Sequence, residues 1–228
     1  EMKPATTMQR AARMWVGLNP FAMAFQEEKG IAMLDDLYEQ FGDWTDDFLW
    51  LYDQMGTANT DTVIGMVRYC AKVLNIDHVF IDNLAKCVKG EDDYNGQKSF
   101  VDELTAVARD YNIHIHLVHH LKKPANEYAI PDKHDNKGTG SITDQVDNVM
   151  LVFRNKTKED DVKANGSFGK NNLDPDHYLL CRKQRNYEGS GEGEPTIKLW
   201  FHRDAQQYIA EAGDLPQWFP AWPHVATP

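Results

Sequence analysis

Four segments of the chain carry residue types that could do chemistry. The first is Val79-Phe80-Ile81-Asp82-Asn83. A hydrophobic strand ending on an aspartate puts a carboxylate at the edge where α/β sheets bind ligands. In phosphate-handling folds that carboxylate holds Mg²⁺ or its water shell. The plainer alternative is an Asp that caps the next turn. The second segment runs from Ile113 to Pro124 and holds His114, His116, His119, His120, Lys122 and Lys123. Strand alternation puts His114, His116 and His120 on one face and His119 on the other. Neutral imidazoles two residues apart can share a metal ion. No other ligand set of suitable spacing accompanies them, so packed or surface histidines are the simpler reading. His120, at the end of a strand beside the Asp82 strand, is better placed to sense a phosphate.

The third segment is Asp132-Lys133-His134-Asp135-Asn136-Lys137-Gly138-Thr139-Gly140-Ser141. Gly138 and Gly140 permit conformations that aim N–H groups at an anion. Lys122, Lys123, Lys133 and Lys137 gather positive charge in one stretch of an acidic chain. Contact with a phosphate or a nucleic-acid backbone follows from that contrast; a flexible surface loop is the alternative. The fourth is Cys181-Arg182-Lys183-Gln184-Arg185-Asn186. Lys183 and Arg185 alternate onto one side of a strand end, where two cations repel unless an anion lies between them. The planar guanidinium fork suits a phosphate, although two solvated surface charges would read the same. No G-x-x-x-x-G-K-[ST] or G-x-G-x-x-G loop occurs. Gly189-Ser190-Gly191-Glu192-Gly193 is acidic, follows a strand and reads as a turn.

The elements that must position these residues alternate between helix and strand. Apolar residues at helical spacing predict helices over about Ala5–Leu18, with Pro4 as a first-turn proline, and over about Gly30–Gln40. Phe48-Leu49-Trp50-Leu51-Tyr52 reads as a strand. Asn59 or Thr60 caps a helix striped by Val63, Met66, Val67, Cys70, Ala71 and Leu74. His78–Ile81 reads as a buried strand, Gly90–Gly96 as a loop, Phe100–Ala108 as a helix and Ile113–Val118 as a strand. This is the pattern of a parallel sheet covered on both faces. Beyond it, Lys122–Thr139 reads as a long loop and Val149–Phe153 as a strand. Asn155–Asp176 is polar and without periodicity, and reads as a mobile stretch. Tyr178–Gln184, Ile197–His202 and Gln207–Ala210 read as a terminal antiparallel meander. The tail from Gly213, rich in proline and tryptophan, is expected to dock on a partner or lie over the core.

The chain has 228 residues, enough for one large domain or two small ones. Its apolar share of 42% and charged share of 26% are those of ordinary globular proteins. No stretch approaches the roughly 18 apolar residues of a membrane span, so no membrane association is expected. The first residues form no apolar signal region. Three scattered cysteines suit a reducing compartment and form neither a disulfide framework nor a zinc site. A cytoplasmic protein is therefore expected. The net charge of −11 argues against a surface that coats nucleic acid all round.

Together the four segments, in this order and spacing, resemble the RecA-like motor domain of DnaB-like hexameric replicative helicases, especially phage-type members. The resemblance covers Glu1 to about Ile209. Glu1-Met2 resembles the end of the motif whose Glu polarises the attacking water. Asp82 matches the Walker B aspartate, and His120 the sensor of the γ-phosphate. Lys137-Gly138-Thr139-Gly140-Ser141-Ile142 resembles the central-channel loop that grips single-stranded DNA, with Asp147 matching an Asp just after it. Lys183 and Arg185 match the family's Lys-x-Arg, whose arginine finger reaches the neighbouring subunit's ATP. Phe201 falls where an aromatic packs on adenine.

The resemblance implies an α/β fold: a RecA-like P-loop NTPase core, mostly parallel, flanked by helices and followed by an antiparallel meander. It implies a motor domain over residues 1–210 and a tail over 211–228. The cofactors it implies are ATP and Mg²⁺, with Asp82 as the metal residue. It implies single-stranded DNA as partner, a homo-hexamer translocating 5′ to 3′, and a primase or helicase loader. Lys122, Lys123, Lys133, Lys137, Gly138, Thr139, Gly140 and Ser141 would face the DNA. Glu1, Asp82, His120, Lys183 and Arg185 would serve catalysis, and Asp82, Phe201, Lys183 and Arg185 would hold the nucleotide. The family's first strand and phosphate loop precede the Glu motif, and here nothing precedes Glu1. The sequence therefore looks like a fragment, expected to hydrolyse no ATP alone and to bind nucleotide weakly. Two other readings stand beside this one. One is a RecA-like recombinase or regulatory ATPase. The other is a catalytically dead nucleic-acid-binding or interaction module.

Overall fold

The computed structural model describes residues 3–20, 30–53, 56, 58–90, 92–121, 126–131, 140–186 and 195–219. The chain divides into two compact units. One comprises Gln54–Lys156 with Tyr178–Ile197, and the other Met2–Asp53, Thr157–His177 and Lys198–Pro228.

The second unit opens with α1 (Pro4–Val16) and α2 (Gly30–Thr45). Pro4 sits in the first turn of α1, and Gly17 ends the helix with φ at 70°, a left-handed conformation suited to glycine. The helices bury one stripe against each other, with Ala12, Trp15 and Val16 meeting Leu37 and Phe41. That stripe continues through Phe41, so α2 runs on to Thr45, five residues past the expected end at Gln40. The same continuation overturns the strand expected over Phe48–Tyr52. The carbonyl of Thr45 accepts hydrogen bonds from the amides of Phe48 (3.1 Å) and Leu49 (2.9 Å), which turns the chain off the helix end. All five residues are exposed and in neither helix nor strand.

In the first unit, α3 (Thr60–Lys72) begins at Asn59, whose side chain accepts from the amide of Asp61. It is followed by β1 (His78–Ile81), α4 (Tyr94–Tyr111) and β2 (His114–Leu117). Asp93 caps α4 by accepting from the amide of Gly96, so the expected loop closes by Tyr94. β1 and β2 are parallel, in the register His78–His114 to Ile81–Leu117. Alternation sends Val79, Ile81, Ile115 and Leu117 toward α3 and α4, where Val63, Ile64, Val67, Phe100, Val101, Leu104 and Val107 form the core. A sheet covered on both faces was expected. Among the described residues the other face is open: His78 and His114 are exposed and Phe80 is 72% exposed. Imidazole rings replace the missing apolar neighbours there. His116 stacks on Phe80 at 4.1 Å, and its Nε2 lies 3.1 Å from Nδ1 of His78.

The same unit holds α5 (Gly140–Gln145), β3 (Asn148–Arg154) and most of β4 (His177–Gln184), with Val149, Leu151 and Leu180 in a small core. Asn155–Asp176, expected to be irregular, contains α6 (Lys156–Asn165). Helical periodicity fails to announce α6 because it buries no apolar residue. Polar contacts hold it instead. Asp161 accepts from the side chain of Asn165 (2.8 Å) and the amide of Asn171 (2.7 Å), and Lys158 pairs with Asp176 (2.9 Å). β5 (Thr196–His202) and β6 (Gln207–Ile209) pair antiparallel, as the meander requires. The tail packs on its own unit as far as Phe219, whose amide donates to the carbonyl of Trp15 (3.1 Å).

No described helix is long and apolar enough to cross a membrane.

Candidate functional site

The parallel pair β1–β2 does not stop at its last paired residues. The amide of Val118 donates to the carbonyl of Ile81 (2.9 Å), and the amide of Leu84 donates to the carbonyl of Val118 (3.0 Å). These two bonds carry the pairing one step past the strands and hold residues 82–83 beside residues 119–120. Asp82 thus stands exposed at the C-terminal edge of the sheet, with no hydrogen bond or ion pair to another described residue. The peptide between Asp82 and Asn83 is cis.

Asn83 turns inward and is 3% exposed. Its Nδ2 lies 3.2 Å from Nε2 of His120, which is itself exposed. The two residues that the sequence singled out on separate strands, Asp82 and His120, are therefore brought to one edge, with Asn83 between them. The buried Oδ1 of Asn83 has no hydrogen-bond partner. A hard oxygen ligand at the exposed tip of Asp82 suits Mg²⁺ or its water shell, so the residues present fit that ion. Among the described residues no group of three or more His, Cys, Asp or Glu is arranged to hold a metal. His116 instead stacks on His78, and the His114 ring lies tilted against both. Burial lowers the His116 pKa below 6.5, and the neighbouring His114 and His78 lower it further.

Lys183 and Arg185 also meet, at the C-terminal end of α5. The Lys183 ammonium donates to the carbonyls of Thr143 (2.7 Å) and Asp144 (2.9 Å). The Arg185 guanidinium donates to the carbonyls of Asp144 (2.9 Å) and Gln145 (3.2 Å) and pairs with Asp147 at 2.9 Å. Helix-end carbonyls lack intrahelical donors and carry the negative end of the dipole, so cations settle there. The anion that two aligned cations require is supplied here from within the chain. Asp147, singled out beside the loop, is the charged member of that group.

Phe201 belongs to the other unit. Its ring lies 5.3 Å from that of Tyr208 and 6.4 Å from that of His177, and its amide donates to Asp176 (2.8 Å). Burial pushes the Tyr208 hydroxyl pKa up, and the Asp176 charge adds to that shift. Glu1, Lys122, Lys123, Lys133, Lys137, Gly138 and Thr139 lie outside the described residues. Gly140 and Ser141 open α5, where only their backbone is described.

The sequence reading missed Asn83 and Tyr208. An Asn after a strand reads as a turn former, and only its burial marks it out. Tyr208 faces its ring neighbours through strand pairing with Phe201, which no local pattern announces.

The profile of the AAA domain family matches residues 8–126. No curated protein matches the chain in sequence. Among solved structures, that of a DnaB-like replicative helicase, described with its interactions with primase, superposes with a TM-score of 0.67 at 16% identity. The superposition covers 92% of this chain and 48% of the other, so this chain spans about half the length of its structural neighbour.

Proposed function

The chain belongs to the AAA domain family, and from that premise we propose that it is the motor part of an ATP-driven DNA helicase of the DnaB-like kind. The observation that supports the proposal is the contact of Asn83, which follows Asp82, with His120 at one sheet edge, in a fold shared with a DnaB-like replicative helicase over 92% of the chain. On this reading residues 1–210 are the motor and 211–228 a tail. The working assembly is a hexamer on single-stranded DNA, moving 5′ to 3′, with a primase or loader as a further partner. Its compartment is the cytoplasm of a bacterial or phage-infected cell.

Asp82 offers a carboxylate toward the nucleotide, and Glu1 orients the attacking water. His120 contacts the γ-phosphate and passes its loss to the loop over residues 122–141, a link of the order–disorder type. Lys183 and Arg185 act on the ATP of the adjoining subunit, and Phe201 packs on the base. Mg²⁺, when bound, neutralises charge on the phosphates. Positioning and charge stabilisation carry most of such a reaction. The basic loop residues grip the DNA backbone. Gly138, Thr139, Gly140 and Ser141 supply backbone N–H groups there, and Lys122, Lys123, Lys133 and Lys137 supply charge.

The test is unwinding of a forked duplex by the full-length protein with ATP and Mg²⁺. Strand release that requires a free 5′ tail, and that Asp82→Asn abolishes, is expected. Strand exchange without unwinding would favour a recombinase. DNA binding with no nucleotide turnover would favour a binding module.

A further inference from the structure

Asn83 is buried to 3% exposure, yet the oxygen of its carboxamide has no partner. Leaving such an atom unpaired costs stability, and an Asn of that kind calls for a reason beyond packing. Its nitrogen supplies the reason, because it lies 3.2 Å from Nε2 of His120. An amide nitrogen can only donate, so the ring nitrogen that faces it must accept. A neutral imidazole that accepts at Nε2 carries its proton on Nδ1.

We infer that Asn83 is a positioning residue that fixes His120 as the neutral Nδ1–H tautomer. The ring then keeps one donor, Nδ1–H, for an incoming oxygen anion. The assignment of Asn83 concerns the ring alone. Its consequence for catalysis, a sensor that donates to the γ-phosphate from a fixed nitrogen, rests on the function proposed above.

The experiment is a long-range ¹H–¹⁵N correlation spectrum of the histidine-labelled 228-residue chain at mildly alkaline pH. His120→Gln identifies the His120 signals by their loss. The parent is expected to show His120 protonated at Nδ1 and bare at Nε2. Asn83→Asp, nearly isosteric but an acceptor, should invert the pattern to Nε2–H. Asn83→Leu should shift the tautomer ratio at least severalfold toward Nε2–H. A parent ring that is already Nε2–H overturns the inference, whichever variants fold. So does a ratio unchanged in a folded Asn83→Leu. Adding ATP and Mg²⁺ to the full-length protein separates the two levels. If the tautomer is fixed and ATP leaves the His120 signals unmoved, the phosphate-sensing reading fails and the assignment of Asn83 stands. If ATP moves them but the tautomer is indifferent to Asn83, the inference fails and the reading stands.

Discussion

Arg185 makes two kinds of bond at once, to helix-end carbonyls and to the Asp147 carboxylate. Its ion pair is about half exposed on both sides, and such pairs contribute about 0–1 kcal/mol. Giving up that ion pair is therefore cheap. Arg185→Ala separates the two roles it could have. If Arg185 only ties down α5, the substitution lowers the unfolding free energy slightly and leaves turnover intact. As an arginine finger it lowers turnover by roughly 10³–10⁵ while nucleotide binding persists. Steady-state hydrolysis and nucleotide titration of the full-length variant measure the two effects. We expect the large loss in rate with binding retained, and a loss of binding instead would place Arg185 on its own subunit's nucleotide. Asp82, His120, Lys183 and Arg185 stand out at this scale as candidates because each has an unusual neighbourhood in sequence. Asn83 was not, since its meaning lies in a contact with a ring 37 residues away.

Elements were legible where burial writes a period into the sequence. α1, α3 and α4 carry apolar stripes and appear close to where the stripes predict them. Two elements escaped for opposite reasons. The run Phe48–Tyr52 has the composition of a strand but no strand beside it among the described residues, and composition alone cannot supply a partner. α6 has no stripe at all and depends on Asp161. The Asn171 amide that donates to this carboxylate holds its pKa below 3.8, and the Asn165 side chain adds to the effect. The sign follows from linkage: a depressed carboxylate contributes stability that is present above 3.8 and lost as pH falls through the folded-state value. Asp161→Ala should remove this contribution at all pH values. Amide exchange at Asn171 and through the last turn of α6 should then quicken severalfold at neutral pH, with little change in α4. Unchanged exchange there would show that α6 is held by other contacts.

At the scale of the whole molecule, the acidic balance and the proposed DNA partner have to be reconciled. A net charge of −11 on 228 residues repels a polyanion at long range, with a reach of about 8–10 Å at physiological salt. Binding then depends on local clusters. The densest cluster of lysines near a glycine turn is Lys122, Lys123, Lys133 and Lys137. Single-strand affinity should therefore be weak at high salt, steeply salt-dependent and indifferent to sequence. Each lysine that neutralises a phosphate contributes about 0.7 to the slope of log affinity against log salt on single strands. Lys137→Ala should lower the slope by about that amount for each copy engaged, and should weaken binding equally on mixed and homopolymeric strands. Lys198→Ala, a lysine outside the cluster, serves as the charge-matched control and should leave the slope where it was. Fluorescence anisotropy with labelled oligonucleotides across a salt series gives both slopes. Equal effects of the two substitutions would mean that DNA responds to total charge and not to the loop, and would remove residues 122–141 from the proposed interface.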